Sequence, residues 1–112
     1  MTQVYAHLSY THLMCRVSEF GIVAPYTLRI VFDDAVFGNI TEQVIDFEPI
    51  LRGELYGPLR DPRLFDQVAL DTQAGTLVWP NGADFDPATL HDWPQCQAAF
   101  VEMASRWEPS PA

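Results

Sequence analysis

The sequence predicts an α+β fold: a small antiparallel β-meander and a separate hairpin, with short helices and a C-terminal amphipathic helix packed on the sheet. Three observations predict it. Apolar and polar residues alternate over much of the first half, as in half-buried strands. Aspartate–proline pairs recur in the second half, where they favour helix starts. A last segment carries apolar residues at helical spacing.

The first half of the chain predicts three sequential strands. Period-two alternation covers about 15–23 and 26–33, and Ala24-Pro25 between them indicates a hairpin. Asp33-Asp34 predicts a turn into a third strand within 36–47. Because the links are too short for helical crossovers, we expect an antiparallel meander.

Short helical turns are predicted in the middle of the chain. Glu48-Pro49 begins one of them, with Gly53 as its expected C-terminal stop. Asp61-Pro62 and Asp86-Pro87 are stronger starts. Aspartate accepts a hydrogen bond from a free amide of the first turn, and proline has no amide hydrogen to leave unpaired.

A second hairpin is predicted between these helical turns. Two short apolar runs, 68–71 and 76–79, flank the turn-forming residues 72–75. Pro80 ends the second run, and Asn81-Gly82 favours a tight turn. The chain therefore reverses twice within a short stretch.

The last element is predicted to be a helix over about 94–106. Asp92, with Gln95 three residues later, resembles a capping box at its start. The residues expected on its apolar face are Cys96, Ala99, Phe100, Met103 and Trp107.

Aromatic residues are expected to form a core between the second hairpin and the last helix. Trp79 belongs to an apolar strand and is predicted to be buried. Trp93 and Trp107 lie at helix ends, where either burial or a role as an interface anchor fits the sequence. Phe85 and Phe100 are expected in the same core.

The length of 112 residues predicts one domain over 1–112. Its expected parts are an N-terminal arm or short strand at 1–13, the core at 14–91, the C-terminal helix at 92–107 and a frayed tail at 108–112. No apolar run approaches the roughly 20 residues that span a bilayer, and the first residues lack the pattern of a signal peptide. We therefore expect a cytoplasmic protein without membrane contact.

The charge is strongly acidic, with 15 acidic residues against six arginines, no lysine and a formal net charge of −9. The arginines are dispersed, whereas nucleic-acid binding needs a clustered positive face. Direct nucleic-acid binding is therefore not expected. An acidic surface suits a more basic protein partner, or it only keeps the protein in solution.

Clusters that could bind metal or act in catalysis are weak in this sequence. His7, His12 and Cys15 lie close together but lack a zinc spacing and a fourth ligand. Cys15 and Cys96 match no metal or redox motif and are expected to be reduced thiols. No metal or other cofactor is predicted.

Acid–base catalysis by the aspartates is also not favoured. Asp84 and Asp86 stand at alternate positions, as in a carboxylate pair, but helix capping explains Asp86. No phosphate-binding loop or hydrolase motif is present. The alternative that stays open is a ligand-binding protein or enzyme with His91, Asp84 and Arg60 in a pocket beside Trp79.

A resemblance to a known family rests on an ordered series of motifs. They are the strand end Leu28-Arg29-Ile30-Val31-Phe32-Asp33-Asp34, then Pro58-Leu59-Arg60-Asp61, Phe65, Val68, Thr76-Leu77-Val78-Trp79-Pro80-Asn81-Gly82-Ala83-Asp84, and Pro87 to Leu90. Over 14–91 this order resembles the bacterial domain of unknown function family 2442. Ala35 departs from the glycine that is typical there.

The resemblance implies a small α+β fold with no established catalytic activity and no functional residues to transfer. It also implies a relation to toxin–antitoxin-like gene pairs. The helix-turn-helix domain of some longer relatives has no counterpart in this sequence.

The expected function is that of a non-enzymatic protein–protein interaction module, the antitoxin-like or regulatory member of a two-protein bacterial system. A homo-oligomeric structural domain, with the last helix paired across a two-fold axis, is a further alternative. The predicted interaction surface consists of Arg60, Asp61, Asn81, Gly82, Asp84 and Trp93.

Overall fold

The structure, a computed structural model, describes residues 15–34 and 39–107. The arm expected over 1–13 and the frayed tail expected over 108–112 lie outside the described residues and stay predictions. Within the described part, no helix has the length and apolar character to cross a membrane.

Three antiparallel strands in the order β1-β2-β3 form the predicted meander. The strands are β1 over Cys15–Ala24, β2 over Thr27–Asp34 and β3 over Asn39–Asp46. The turn predicted at Asp33-Asp34 is wrong. These residues continue β2, because the ladder to β3 runs without a register shift as far as the Asp34–Asn39 pair.

One face of this sheet is apolar and buried. Leu28, Ile30 and Phe32 alternate along the central strand and are fully buried. Val17 lies opposite Phe32 on β1, and Ile45 lies opposite Leu28 on β3; both are buried as well. The apolar residues of the period-two pattern therefore lie on the face of the sheet that packs against the helices.

The second hairpin and four short α-helices follow the sheet. The predicted hairpin consists of β4 over Ala69–Asp71 and β5 over Thr76–Val78, which pair antiparallel. The helices are α1 over Gly53–Tyr56, α2 over Pro62–Phe65, α3 over Pro87–His91 and α4 over Trp93–Ala104, with 3₁₀ turns at Glu48–Ile50 and Gly57–Arg60.

Both aspartate–proline helix starts are confirmed. Asp61 accepts a hydrogen bond from the amide of Arg63 at 3.0 Å. Asp86 accepts one from the amide of Ala88 at 2.9 Å. Each carboxylate thus satisfies one amide of the first turn, where no helical carbonyl is available.

Gly53 does not end the preceding turn as predicted; it begins α1. Its φ of +79° is a conformation that favours glycine. A Cβ on Gly53 would lie 2.8 Å from Cβ of Trp107. Glycine is therefore needed here for a close contact with Trp107, which follows the last helix, rather than for a helix stop.

The capping box at Asp92 is also wrong. Asp92 precedes α4, but its side chain makes no capping hydrogen bond. Instead its Oδ1 lies 2.8 Å from Nδ1 of His91. The carboxylate is thus bonded to the histidine instead of to the first turn of α4, where Pro94 at the second position has no amide hydrogen to leave unpaired.

The apolar face of α4 is shifted from the predicted one. Ala99 and Met103 are exposed. Trp93 and Ala104 are buried, and Phe100 and Trp107 pack against the core. The buried positions still follow helical spacing, but they are centred on Phe100 instead of Ala99 and Met103.

The expected aromatic core is centred on Phe47. Its ring centroid lies 5.2 Å from that of Phe85 and 6.1 Å from those of Trp79 and Trp93. The indole nitrogen of Trp79 donates to the carbonyl of Phe65 at 2.9 Å. This core joins the end of the sheet to the second hairpin and α4.

Candidate interaction surface

The Asn81-Gly82 turn, the centre of the predicted surface, is bonded to its own chain. Asn81 donates from Nδ2 to the carbonyl of Leu55 at 2.9 Å. Its Oδ1 accepts from the amide of Ala83 at 3.1 Å. The first bond holds the turn against α1 and the second lies within the turn, so both ends of this amide side chain are hydrogen-bonded even though the residue is exposed.

Two neighbours of Asn81 keep a more open surface. Gly82 is exposed with φ of +91°, and a Cβ there would have no heavy atom within 4 Å. Asp84 is exposed, and its carbonyl accepts from the hydroxyl of Tyr56 at 2.8 Å. Burial and the nearby Asp84 carboxylate raise the pKa of Tyr56.

Arg60 and Asp61 lie beside the first hairpin. The carbonyl of Arg60 accepts a hydrogen bond from the hydroxyl of Tyr26. Asp61, besides capping α2, lies 3.4 Å from Nε of Arg63. Amide and guanidinium bonds from Arg63 lower the pKa of the Asp61 carboxyl.

Trp93 does not contribute to an exposed surface, which corrects its place in the predicted set. Only 5% of the residue is exposed. Its ring centroid lies 5.5 Å from that of Phe100 and 6.1 Å from that of Phe47. The position at a helix start is compatible with burial, because the first turn of α4 is packed against the aromatic core.

The tip of the first hairpin carries exposed apolar residues that the predicted surface did not include. Ile22 and Val23 are 45% and 53% exposed, although isoleucine and valine are among the residues most often buried. They border a groove of about 350 Å³. We call this groove and its lining the hairpin-tip surface; it is lined by Ile22, Val23, Ala24, Pro25, Tyr26, Pro62 and Asp66.

Tyr26 fixes the shape of this tip. It has a φ of +57°, which is rare for a bulky side chain. Its ring makes an edge contact with Phe65 at 5.5 Å between centroids, and its carbonyl accepts from the amide of Phe47 at 2.8 Å. These contacts hold the Pro25-Tyr26 turn against α2 and the end of β3.

Charged residues of both signs surround the hairpin-tip surface. Asp66 lines the groove, and Asp61 lies at the start of the same helix. Asp46 is exposed and pairs with Thr27, the first residue after the tip. Arg63 pairs with Asp61 at 3.4 Å, so charges of both signs are present at the start of this helix.

A second groove of about 350 Å³ lies along α1. It is lined by residues 52–56 and Trp107. The rings of Tyr56 and Trp107 stack there with centroids 5.4 Å apart. Since Leu55 both lines this groove and accepts the Asn81 bond, the Asn81-Gly82 turn adjoins this groove.

The residues of the alternative pocket beside Trp79 contact different parts of the fold. The main-chain carbonyl of Arg60 accepts from Tyr26, and that of Asp84 accepts from Tyr56. The ring of His91 packs edge-on against Phe32 at 5.3 Å. Trp79 itself is surrounded by the rings of the aromatic core.

No group of three or more metal-binding side chains forms within 15–34 and 39–107. His7 and His12 lie outside these residues, so their relation to Cys15 stays a prediction. Cys15 is buried, as expected, and is not bonded to Cys96. Burial and the charge of Asp92 raise the pKa of the Cys96 thiol.

The open face of the sheet carries a charge ladder. Nη2 of Arg29 lies 3.0 Å from Glu42, and Nη1 lies 3.6 Å from Glu19. The two carboxylates raise the pKa of the Arg29 guanidinium, Glu42 having the larger effect. One arginine is thus shared by two acids across all three strands.

The fold and surface described above define a small α+β domain. No family model, curated protein or solved structure matches this chain. The resemblance to the domain of unknown function family 2442 accordingly stays a prediction.

The sequence contains a signal for the hairpin-tip surface that the predicted surface overlooked. Residues 22–25 form an apolar run that continues into a turn, where polar residues are usual. Alternation explains only one of two consecutive apolar residues such as Ile22 and Val23. Consecutive apolar residues alone do not indicate exposure, because Val31 is buried between two apolar neighbours; the signal is the continuation of the apolar run into a turn.

Proposed function

We propose that this protein is a cytoplasmic, non-enzymatic interaction module that binds and masks a more basic protein partner. It would be the antitoxin-like or regulatory member of a two-protein bacterial system, as the family resemblance implies. The observation that supports this function is the hairpin-tip surface, where Ile22 and Val23 are exposed on a turn fixed by Tyr26. An apolar centre with a charged rim is the usual anatomy of a protein interface.

Charge supports the choice of partner. The net charge of −9 favours encounter with a basic surface and slows encounter with an acidic one. Asp66, which lines the apolar groove, would pair with a basic residue at its rim. The partner would place an apolar side chain in the groove and arginine or lysine around it.

The test is co-purification of the full, tagged chain from its native host at moderate salt. We expect a stoichiometric basic partner that binds the unaltered protein and is lost when Ile22→Thr and Val23→Thr are combined. Threonine keeps the β-branched shape, so the sheet is retained while the apolar contact is removed. Leu55→Gln is the matched control, since Leu55 is 43% exposed on α1 and lines the separate groove formed with Trp107.

Recovery of no stoichiometric basic partner would contradict the proposed function. If a basic partner binds the double variant, Ile22→Thr with Val23→Thr, as well as it binds the unaltered protein, the hairpin tip is not the surface that binds this partner.

A homo-oligomeric structural role is the second candidate, and the exposed side of α4 favours it. Ala98, Ala99 and Met103 are exposed on this helix and leave an apolar strip without a covering element among the described residues. Sedimentation at two protein concentrations tests it. A monomer at both concentrations would remove this candidate, and a dimer dissociated by Met103→Gln would support it.

A further inference from the structure

The two edges of the three-stranded sheet differ in how their backbone groups are used. On β1, the amide of Val17 donates to the carbonyl of Gly75 at 2.9 Å, so the second hairpin occupies part of that edge. Two register shifts also interrupt β1, between Val17 and Glu19 and between Ile22 and Ala24. Bulges and covering elements are common ways in which proteins close a sheet edge to other strands.

Among the described residues, the outer edge of β3 has neither a register shift nor a backbone bond from another strand. Its eight residues pair with β2 in unbroken register, and no strand of the described chain pairs with its other side. The amide of Phe47 donates to the carbonyl of Tyr26, which sets the alternation of the ladder. Residues 41, 43 and 45 therefore direct their backbone groups to β2, and Glu42, Val44 and Asp46 direct theirs outward.

The side chains at these outward positions share one face, and two of the three are acidic. Glu42, Val44 and Asp46 lie opposite Val31, Arg29 and Thr27, on the side of the sheet away from the helices. Glu42 and Asp46 are exposed acids, Val44 is 60% exposed, and one oxygen of Asp46 accepts from the amide of Glu48 at 2.9 Å. β3 contains no arginine or lysine, and the nearest described arginine, Arg29, is already paired with Glu42 at 3.0 Å.

We infer that the outer edge of β3 binds an extended, basic segment of the partner protein as a fourth strand. Outward amides and carbonyls would supply the main-chain hydrogen bonds, as in other cases of strand addition. Basic residues of the segment would lie opposite Glu42 and Asp46, with a β-branched apolar residue opposite Val44, since such cross-strand pairs are favourable. This inference rests on the proposed function for the basic character of the partner.

Two further observations support this occupant. The edge begins where the hairpin-tip surface ends, because Asp46 pairs with Thr27 and the next residue, Phe47, is bonded to Tyr26. One partner could therefore contact both surfaces. A second copy of this chain fits less well, because it would bring another net charge of −9 to an edge that is already acidic.

The test uses the full chain and a synthetic peptide of about eight residues with alternating arginine and valine. Amide hydrogen exchange is followed by NMR with and without peptide. We expect exchange at Glu42, Val44 and Asp46 to be fast in the free protein and to slow roughly tenfold or more at saturation. Two control peptides, one alternating glutamate and valine and one with proline at the centre of the arginine–valine sequence, should not produce this slowing.

Variants at β3 separate backbone pairing from charge. Val44→Pro removes one outward amide without removing a bond to β2, and we expect it to abolish the slowing at Glu42 and Asp46. Val44→Thr is the matched control that keeps the amide, and it should behave like the unaltered protein. Glu42→Lys keeps the backbone, and it should weaken peptide binding roughly tenfold, an effect that shrinks as salt is raised.

Slow exchange of all three amides in the free protein would overturn the inference, since the edge would already be paired. Slowing confined to other residues, or equal slowing by the glutamate peptide, would also overturn it. These outcomes are separate from the proposed function. A native partner that depends on Ile22 and Val23 but binds Val44→Pro normally would leave the proposed function standing without strand addition.

Discussion

The Asn81-Gly82 turn and the tip of the first hairpin are two proline-containing reversals that use their residues in opposite ways. At Asn81-Gly82 a polar side chain is exposed, yet both of its ends bond the chain's own backbone. At the hairpin tip Ile22 and Val23 are apolar and stand in solvent. A polar turn can thus have its side-chain hydrogen bonds satisfied within the fold, whereas an apolar turn can still expose surface that another molecule could bury.

The two turns also differ in how they hold a positive φ. Gly82 adopts +91° without a Cβ to oppose it. Tyr26 adopts +57°, which costs an ordinary residue about 1–2 kcal/mol. Its contacts with Phe65, Arg60 and Phe47 offset that cost and so fix the tip in one shape.

The largest effect is expected at Trp93, which the structure moves from the predicted surface to the core. Trp93→Ala should lower the free energy of unfolding by about 3–5 kcal/mol, because a buried ring is replaced by a cavity. Urea denaturation measures this loss. Met103→Ala on the exposed side of the same helix should change it by less than about 1 kcal/mol. If both substitutions lower the free energy of unfolding by the same small amount, Trp93 is exposed and not part of the core.

An intermediate effect is expected at Asn81. Asn81→Ala removes one hydrogen bond that ties the turn to α1 and one within the turn, at roughly 1 kcal/mol each, so about 2 kcal/mol of stability should be lost. The control is Gln73→Ala in the exposed turn of the second hairpin, which should stay within about 0.5 kcal/mol of the unaltered protein. If both variants unfold at the same urea concentration, the Asn81 bonds do not stabilise the turn.

Much of the fold could be predicted because it depends on local rules. Alternation along β2 directly marks Leu28, Ile30 and Phe32 as the buried face. The two aspartate–proline helix starts depend only on neighbouring residues, and both caps form as expected.

The incorrect predictions concern residues whose local role is overridden by a contact with another residue. Asp92 has the spacing of a capping box, but His91 takes its carboxylate. Gly53 resembles a helix stop, but the approach of Trp107 decides its conformation. For the same reason the exposed polar residues near Asn81 looked available: their partners, Leu55 and Tyr56, are distant in sequence.

A smaller, pH-dependent effect is expected at Tyr56, beside the Asn81-Gly82 turn. Burial raises the pKa of Tyr56 above its ordinary value of about 10. The unfolded chain therefore ionises first, so the stability that neutral Tyr56 contributes is complete below about pH 10 and is lost as pH rises through the folded pKa. Urea denaturation from about pH 8 to about 11 should show this loss as a narrowing gap between the unaltered protein and Tyr56→Phe.

Subtracting the Tyr56→Phe curve removes the shared titration of the other tyrosines. A constant gap over this pH range would mean that the Tyr56 hydroxyl ionises as it does in the unfolded chain. The Asn81-Gly82 side of the molecule would then be more open to solvent than its hydrogen bonds indicate.

The smallest effect on stability is expected at the hairpin tip, and it is the most informative for the comparison. Ile22→Thr and Val23→Thr together should change the free energy of unfolding by less than about 1 kcal/mol, because both side chains are already about half in water. Urea denaturation should therefore give nearly the same free energy of unfolding for this variant and for the unaltered protein, although this variant is designed to lose partner binding. A loss of several kcal/mol would mean that the two residues serve the fold, and the difference between the two turns would disappear. Retained stability with lost binding would mean that the exposed apolar area is kept for a partner, since nothing in the fold requires it.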